Sequence, residues 1–242
     1  MRSPPLNFDI DQLNLEFETQ SPQDILAWSW GRFQTKIVAS SSFQTQSVAL
    51  LHMVSQVCPD MKVLFLDTGF HFGETLAYRD NLQDLFNLKI KNIYPDPETT
   101  QHLRNPSDPL YFKDPDLCCR INKIRPMERA ILGIDAWVSG IRRDQTPSRR
   151  DVQIFERQND NLVKIHPLAM WTKRDLWSYI NHYQLPLHPL FNKGYTSIGC
   201  TPCTRPIIEG GDERAGRWEG QIKTECGLHT NIVPSDSILN DK

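Results

Sequence analysis

The amino-acid order predicts an α/β fold, a mostly parallel sheet with helices on both faces. Three observations lead there. Short apolar runs alternate with stretches of helical period, the pattern of strand–helix units. Hydroxyl-, carboxylate- and arginine-rich clusters follow several of those runs, where open parallel sheets bind ligands. The length of 242 residues, 39% hydrophobic and 23% charged, suits one large domain with its own core, with or without a tail, or two small ones.

The elements follow in order. Residues 22–34 read as an amphipathic helix, with Ile25, Leu26, Trp28, Trp30 and Phe33 on its apolar side and Ser21-Pro22 as N-cap and first position. Residues 36–39 form a short strand that ends in Ser40-Ser41-Ser42, and residues 47–57 a helix with Val48, Leu51 and Val54 on one face. Residues 61–66 are a second strand, ending at Asp67-Thr68-Gly69, followed by a helix over 74–86 and a third strand over 89–94. A fourth strand spans 136–140 and a fifth 162–166; the next helix starts at Thr172, with Asp175 completing a capping box. Beyond about residue 184 the periodicity fades into a loop-rich segment. Residues 1–229 are expected to form a single domain, the first few of them loose, and 230–242 a mobile tail.

A net charge of −2 gives no global pull toward nucleic acid or an anionic membrane, so any anion site is local. No apolar run approaches the ~20 residues needed to span a bilayer, and the start does not read as a secretory signal. A cytoplasmic, reducing location follows as an expectation. There the six cysteines favour metal binding or catalysis over disulfides.

Five clusters carry chemistry. The stretch Ser40-Ser41-Ser42-Phe43-Gln44-Thr45-Gln46-Ser47 joins a strand to a helix and suits an anion at the helix N-terminus, or simply caps the helix. It lacks the Gly-Lys-Ser/Thr of a Walker loop. Asp67-Thr68-Gly69 offers a carboxylate to a ribose or base, or is a plain turn. Cys118-Cys119 is too strained for a mutual disulfide. Arg120 and Lys123 are expected to lower the thiol pKa values, and the pair reads as metal ligands. Gly140-Ile141-Arg142-Arg143-Asp144-Gln145, with Arg149-Arg150, suits phosphate or sulfate, against a solvated charged face. Cys200-Thr201-Pro202-Cys203 is a metal half-site or redox pair; Arg214, Arg217 and Glu225-Cys226-Gly227-Leu228-His229 follow. By spacing, Cys200, Cys203, Cys226 and His229 could also make a zinc site, which leaves Cys118-Cys119 without a role. Cys58, at the end of an apolar helix, reads as core.

Taken in order across residues 36–229, these clusters resemble the assimilatory sulfonucleotide reductases of the iron–sulfur type. The most specific part is the combination of Cys118-Cys119, Cys200-x-x-Cys203 and the late Glu225-Cys226-Gly227-Leu228-His229. The resemblance implies an adenine-nucleotide hydrolase-like fold, related to the PP-loop pyrophosphatases. It implies a [4Fe–4S] cluster on Cys118, Cys119, Cys200 and Cys203, with Cys226 as nucleophile. It implies substrate contacts from Ser40, Ser41, Ser42, Gln44, Asp67, Lys123, Arg142, Arg143, Arg214, Arg217 and His229. The implied reaction is thiol-dependent reduction of adenosine 5'-phosphosulfate (APS) to sulfite and AMP, in sulfate assimilation. Thioredoxin or glutaredoxin would be the donor, and a homo-oligomer is compatible with the family. The 3'-phosphorylated substrate (PAPS) stays open as an alternative, as do the zinc-stapled nucleotide-binding module and an ATP-dependent sulfur transferase. The last is disfavoured because residues 40–47 lack the Ser-Gly-Gly-x-Asp-Ser of the pyrophosphatases.

Overall fold

A computed structural model describes residues 8–101, 109–159, 161–207, 213–220, 223 and 225–228. The loose start and the tail expected over 230–242 lie outside the described residues, apart from residues just after the first seven. The chain divides into two compact units. Unit 1 comprises Met1–Leu64, Arg79–Lys91 and Gly133–Leu187; unit 2 comprises Phe65–Tyr78, Asn92–Leu132 and His188–Lys242.

The helices are α1 (Ile10–Phe17), α2 (Pro22–Phe33), α3 (Ser47–Val57), α4 (Gly73–Phe86), α5 (Pro97–Gln101), α6 (Leu110–Lys113), α7 (Pro115–Cys119), α8 (Arg125–Ala130) and α9 (Lys173–His182). The strands are β1 (Ile37–Ser40), β2 (Lys62–Leu66), β3 (Lys89–Ile93), β4 (Ala136–Val138), β5 (Phe155–Asn159) and β6 (Leu162–Ile165), in the sheet order β3-β2-β1-β4-β6-β5. β1 pairs in parallel with β2 and with β4, and β4 with β6, so the α/β reading holds. β5 runs antiparallel to β6.

Local chemistry explains the element ends. Ser21 and Asp24 form a capping box over α2 with Pro22 in its first turn, and Thr172 and Asp175 do the same for α9. β1, β4 and β6 are buried along nearly their whole length, which is why they read as uninterrupted apolar runs. The short helices α5 to α8 were not foreseen, nor were two elements at the sheet's edge. β5, Phe155-Glu156-Arg157-Gln158-Asn159, is an edge strand whose polar residues hide its period. α1 buries only Leu13 and Phe17, and Asp9 caps it by accepting from the backbone of Asp11 and Gln12. Asn14 on α1 clasps the edge strand: its amide donates to Phe155 O and its carbonyl accepts from Phe155 N, both at 2.9 Å. Among the described residues no helix is long and apolar enough to cross a membrane.

The core of unit 1 contains a lysine. Lys164 on β6 is fully buried with its Nζ 4.8 Å from the centre of the Trp137 ring. Burial lowers its pKa to about 8, with Glu156 acting in the opposite direction. Between that value and 10.5 the unfolded chain holds a proton that the folded chain does not, so this group makes stability rise with pH across the interval. Relative to Lys164→Met, the wild type should gain roughly 3 kcal/mol in unfolding free energy between pH ~7.5 and ~10.5. Urea melts at both pH values measure it, and a constant difference would show that Lys164 titrates normally in the folded protein.

Candidate active site

The site residues fall into two groups, one in each unit. In unit 1, β1 ends at Ser40, whose hydroxyl accepts from Trp137 Nε1 at 2.8 Å. The chain then turns. Ser41 N donates to Leu64 O, and Ser41 Oγ accepts from Phe43 N at 3.0 Å. Phe43 takes a left-handed φ of +52°, costly for a bulky residue, and its complete burial holds it there. α3 begins at Ser47 with no side-chain cap; Ser47 N and Val48 N donate instead to the loop carbonyls of Gln44 and Thr45, and the positive end of the helix faces this turn. A pocket opens at this turn, lined by Ser40, Ser41, Gln44, Gln46, Ser47, Leu50, Leu51, Gly140 and Gln145. Ser42, next in the loop, is exposed.

The arginines after β4 are engaged by the protein. Arg142 is 1% exposed; its Nε donates to Asp144 Oδ1 and its Nη1 to Gln46 Oε1, each at 2.9 Å. Its backbone N donates to Gln145 Oε1 at 3.2 Å, and Arg149 Nη1 donates to the same oxygen at 2.5 Å. Arg142 thus straps the serine loop to the loop after β4. Arg143 Nε donates to Val152 O at 2.7 Å, and its Nη1 lies 3.3 Å from Glu18 Oε1. The end of β4 is fixed by His166, whose Nδ1 is 2.8 Å from Ser139 Oγ and whose Nε2 is 3.4 Å from Glu156 Oε2. Burial lowers the His166 pKa despite Glu156, which keeps the ring neutral.

Unit 2 holds the cysteines. Asp114 caps α7 by accepting from Leu117 N at 2.8 Å, and Pro115 opens the helix. Cys118 and Cys119 close it, just before a π-helical turn over Arg120–Ile124, a departure from α geometry that often marks functional sites. Asn122 Nδ2 donates to Cys118 O at 2.9 Å and lies 3.6 Å from Cys118 Sγ. Cys118, Cys119, Cys200 and Cys203 line one pocket, together with Lys123, Asn122, Phe70, Tyr111, Pro115 and Pro202. Cys200 and Cys203 flank a 3-10 turn in which Cys203 N donates to Cys200 O, and Thr204 Oγ1 donates to the same oxygen. Asp67 is used as a turn: its carboxylate accepts from Gly69 N at 3.0 Å, with Gly69 at φ +72°. Its neighbour Thr68 is buried, with Oγ1 3.3 Å from Cys200 Sγ.

The electrostatics of this cavity correct one expectation. Cys118 is pushed up to about 12, by burial first and then by the neighbouring thiols, and Cys119 to about 11 by burial. Cys203 is raised by burial too. Lys123 does pull these thiols down, but burial outweighs it, so without a ligand Cys118 and Cys119 stay protonated at neutral pH. Burial alone would lower Lys123; Cys200, Cys119 and Cys226, where ionised, act in the opposite sense and raise it. Cys226 is half-buried and belongs to the same electrostatic neighbourhood, bearing on Cys119 and Lys123. Arg214 pairs with Glu225 at 3.2 Å, and Lys223 pairs closely with Asp116. His229 lies outside the described residues. All six cysteines are free, and Cys58 is buried with a pKa pushed up to about 12, as its reading as core requires.

Among the described residues no three His, Cys, Asp or Glu side chains are arranged to hold a metal ion. The buried Oδ1 of Asn122, beside the cysteine cavity, has no hydrogen-bond partner among the described residues. The residues at these sites that the sequence did not single out are uncharged: Gln46 and Gln145 in unit 1, Thr68 and Asn122 in unit 2. All lie in or beside motifs already marked by charge, cysteine or serine.

Comparison with known proteins gives these arrangements a context. An adenosine 5'-phosphosulfate reductase of Halalkalibacterium halodurans is 39% identical over 226 residues, covering 93% of this chain and 98% of that protein. One of Staphylococcus epidermidis is 38% identical over 227 residues, 93% of each chain. The solved phosphoadenylyl-sulfate (PAPS) reductase of Candida auris superposes with a TM-score of 0.71 at 25% identity, covering 82% of this chain and 98% of that one. Yeast FAD synthetase shares the fold, with a TM-score of 0.53 at 18% identity over 83% of this chain and 70% of that one. The fold is thus the PP-loop nucleotide-binding fold. Residues 36–206 match the family model of the phosphoadenosine phosphosulfate reductase domain. With its serine loop, strand-end arginines and paired cysteines, the chain belongs to the sulfonucleotide reductase family.

Proposed function

We propose that the chain reduces APS to sulfite and AMP, through an S-sulfonate on Cys226, with thioredoxin or glutaredoxin as the thiol donor. The observation that carries the reading is the gathering of Cys226, Lys123 and the two cysteine pairs in unit 2 of a chain 39% identical to a named APS reductase. A cytoplasmic, reducing compartment suits the six free thiols.

In the mechanism, the Cys226 thiolate attacks the sulfur of APS. The bond from that sulfur to the bridging phosphate oxygen breaks, and AMP leaves with the electron pair. A donor thiolate then attacks Cys226 Sγ, sulfite departs, and the donor's second thiol resolves the mixed disulfide, returning Cys226 reduced. Both electrons come from the donor. The charge of Lys123, with that of Arg217, suits the negative charge that grows on the leaving phosphate. In unit 1 the amides of Gln44, Gln46 and Gln145 and the serine hydroxyls offer contacts to the adenylate. Arg142 and Arg143 contribute by shaping that loop, since their forks already have protein partners.

A [4Fe–4S] cluster on Cys118, Cys119, Cys200 and Cys203 would supply charge and rigidity beside Lys123. The four thiols that line this one pocket would be its ligands, the donor type that holds iron–sulfur clusters. The Asn122 carbonyl, buried beside them, is a further polar group for such a centre. Loading must displace the protons that burial holds on Cys118 and Cys119, so it should release protons. The zinc alternative would instead need Cys200, Cys203, Cys226 and His229 on one ion.

Protein purified without oxygen should carry iron and sulfide and release sulfite from APS with thioredoxin. Activity on PAPS alone would keep the chemistry and change the substrate; zinc without iron, and no sulfite from either, would sink the reading. Cys226→Ser should abolish sulfite release while keeping its iron and its AMP affinity, measured by elemental analysis and calorimetry. Full turnover in this variant would falsify the S-sulfonate scheme. Cys203→Ala should lose most of its iron; an unchanged iron content removes that residue from the ligand set.

A further inference from the structure

Gly199, just before the second cysteine pair, has no backbone reason to be glycine, since it is not among the residues with positive φ. Its neighbour in space supplies one. A Cβ at Gly199 would sit 2.7 Å from Arg217 Cζ and 3.0 Å from its Nη1, with Nη2 closer still. The guanidinium also lies over the Trp218 ring, 4.3 Å from Cζ to the ring centre, a cation–π contact. Between these walls Arg217 Nε donates to Cys203 O at 3.3 Å.

The backbone holds the walls in place. Arg205 N donates to Gly216 O at 2.8 Å, Trp218 N donates to Cys203 O at 3.2 Å, and Thr204 and Arg217 form an antiparallel bridge. Trp218 is 3% exposed and sits at φ +49°, a conformation that a bulky residue keeps only when its surroundings fix it. Arg214, one helical turn's spacing away, is neutralised by Glu225; among the described residues no carboxylate pairs with Arg217. Its charge is therefore held in a fixed place and left for an anion.

We propose that Gly199 and Trp218 are positioning residues: the bare α-carbon of one and the ring of the other form a slot that sets where Arg217 presents its charge to the sulfonucleotide. This rests on the reading of Arg217 as an anion-holding residue. Because the obstacle to a side chain at Gly199 is the far end of a flexible arginine, Gly199→Ala displaces the guanidinium and leaves the backbone intact.

The test is a pair of double-mutant cycles on the iron-loaded enzyme, with KM for APS, kcat, AMP affinity by calorimetry, iron content and Tm as readouts. Arg217→Ala should raise KM about tenfold or more. Gly199→Ala and Trp218→Leu should each raise KM several-fold, and in the Arg217→Ala background neither should add a further loss. Iron content and Tm of Gly199→Ala should match wild type. Full additivity of either substitution with Arg217→Ala, or wild-type KM in both single variants, overturns the proposal. Iron loss in Gly199→Ala that persists in Gly199→Ala/Arg217→Ala also overturns it, because the glycine then serves the cysteine turn. An unchanged KM in Arg217→Ala alone would instead remove Arg217 from the proposed function.

Discussion

Unit 2 is organised by one electrostatic constraint: a part-buried ammonium and four thiols line the same pocket, where burial disfavours charge. Burial works against Lys123 and against Cys118 and Cys119 in the same sense, disfavouring charge on each. Only mutual attraction lets any of them ionise. The groups therefore behave as a set, and whatever removes protons from the thiols strengthens the hold on the lysine. Helix α7, its π-helical continuation and the turn from Cys200 to Cys203 can be understood as the scaffold that brings these groups to one cavity.

Unit 1 solves a different problem, the shaping of a loop that carries no net charge of its own. Arg142 would read from sequence as a ligand for phosphate, yet its fork is spent on Asp144 and Gln46. A buried arginine of this kind is a strut. It fixes two loops at once and leaves the cavity itself to amides, hydroxyls and the uncapped end of α3. Neutral groups of this sort suit a nucleotide whose phosphate charge is met by the positive end of a helix.

Much of this was legible in the amino-acid order. β1, β2, β4 and β6 announced themselves because both faces of a parallel strand are buried, so their residues need no alternation. The capping boxes at Ser21 and Thr172 marked two helix starts to the residue. β5 and α1 escaped because each buries little: α1 buries only Leu13 and Phe17 and leaves Leu15 exposed, and polar residues hide the period of β5. In the site, spacing picked out the cysteines, the arginines and the serine loop. It could not show how strongly burial acts on the thiols, nor that Arg142 and Arg143 face protein partners, since both depend on what the fold places beside them. The role of Gly199 was equally hidden, because a glycine forced by a distant side chain looks like any other in a loop.

The clasp of Asn14 on Phe155 has a consequence for association. The outer strands of a sheet offer unpaired backbone groups to any extended segment that comes near, from another molecule as readily as from the same one. Here the amide of α1 occupies both backbone groups of Phe155, and Glu156 and Arg157 follow directly. The opposite edge, β3, alternates Lys89 and Lys91 along its length. Charge and a side-chain plug thus close the sheet at both ends, so that neither edge serves as a template for templated growth or for adding a foreign strand.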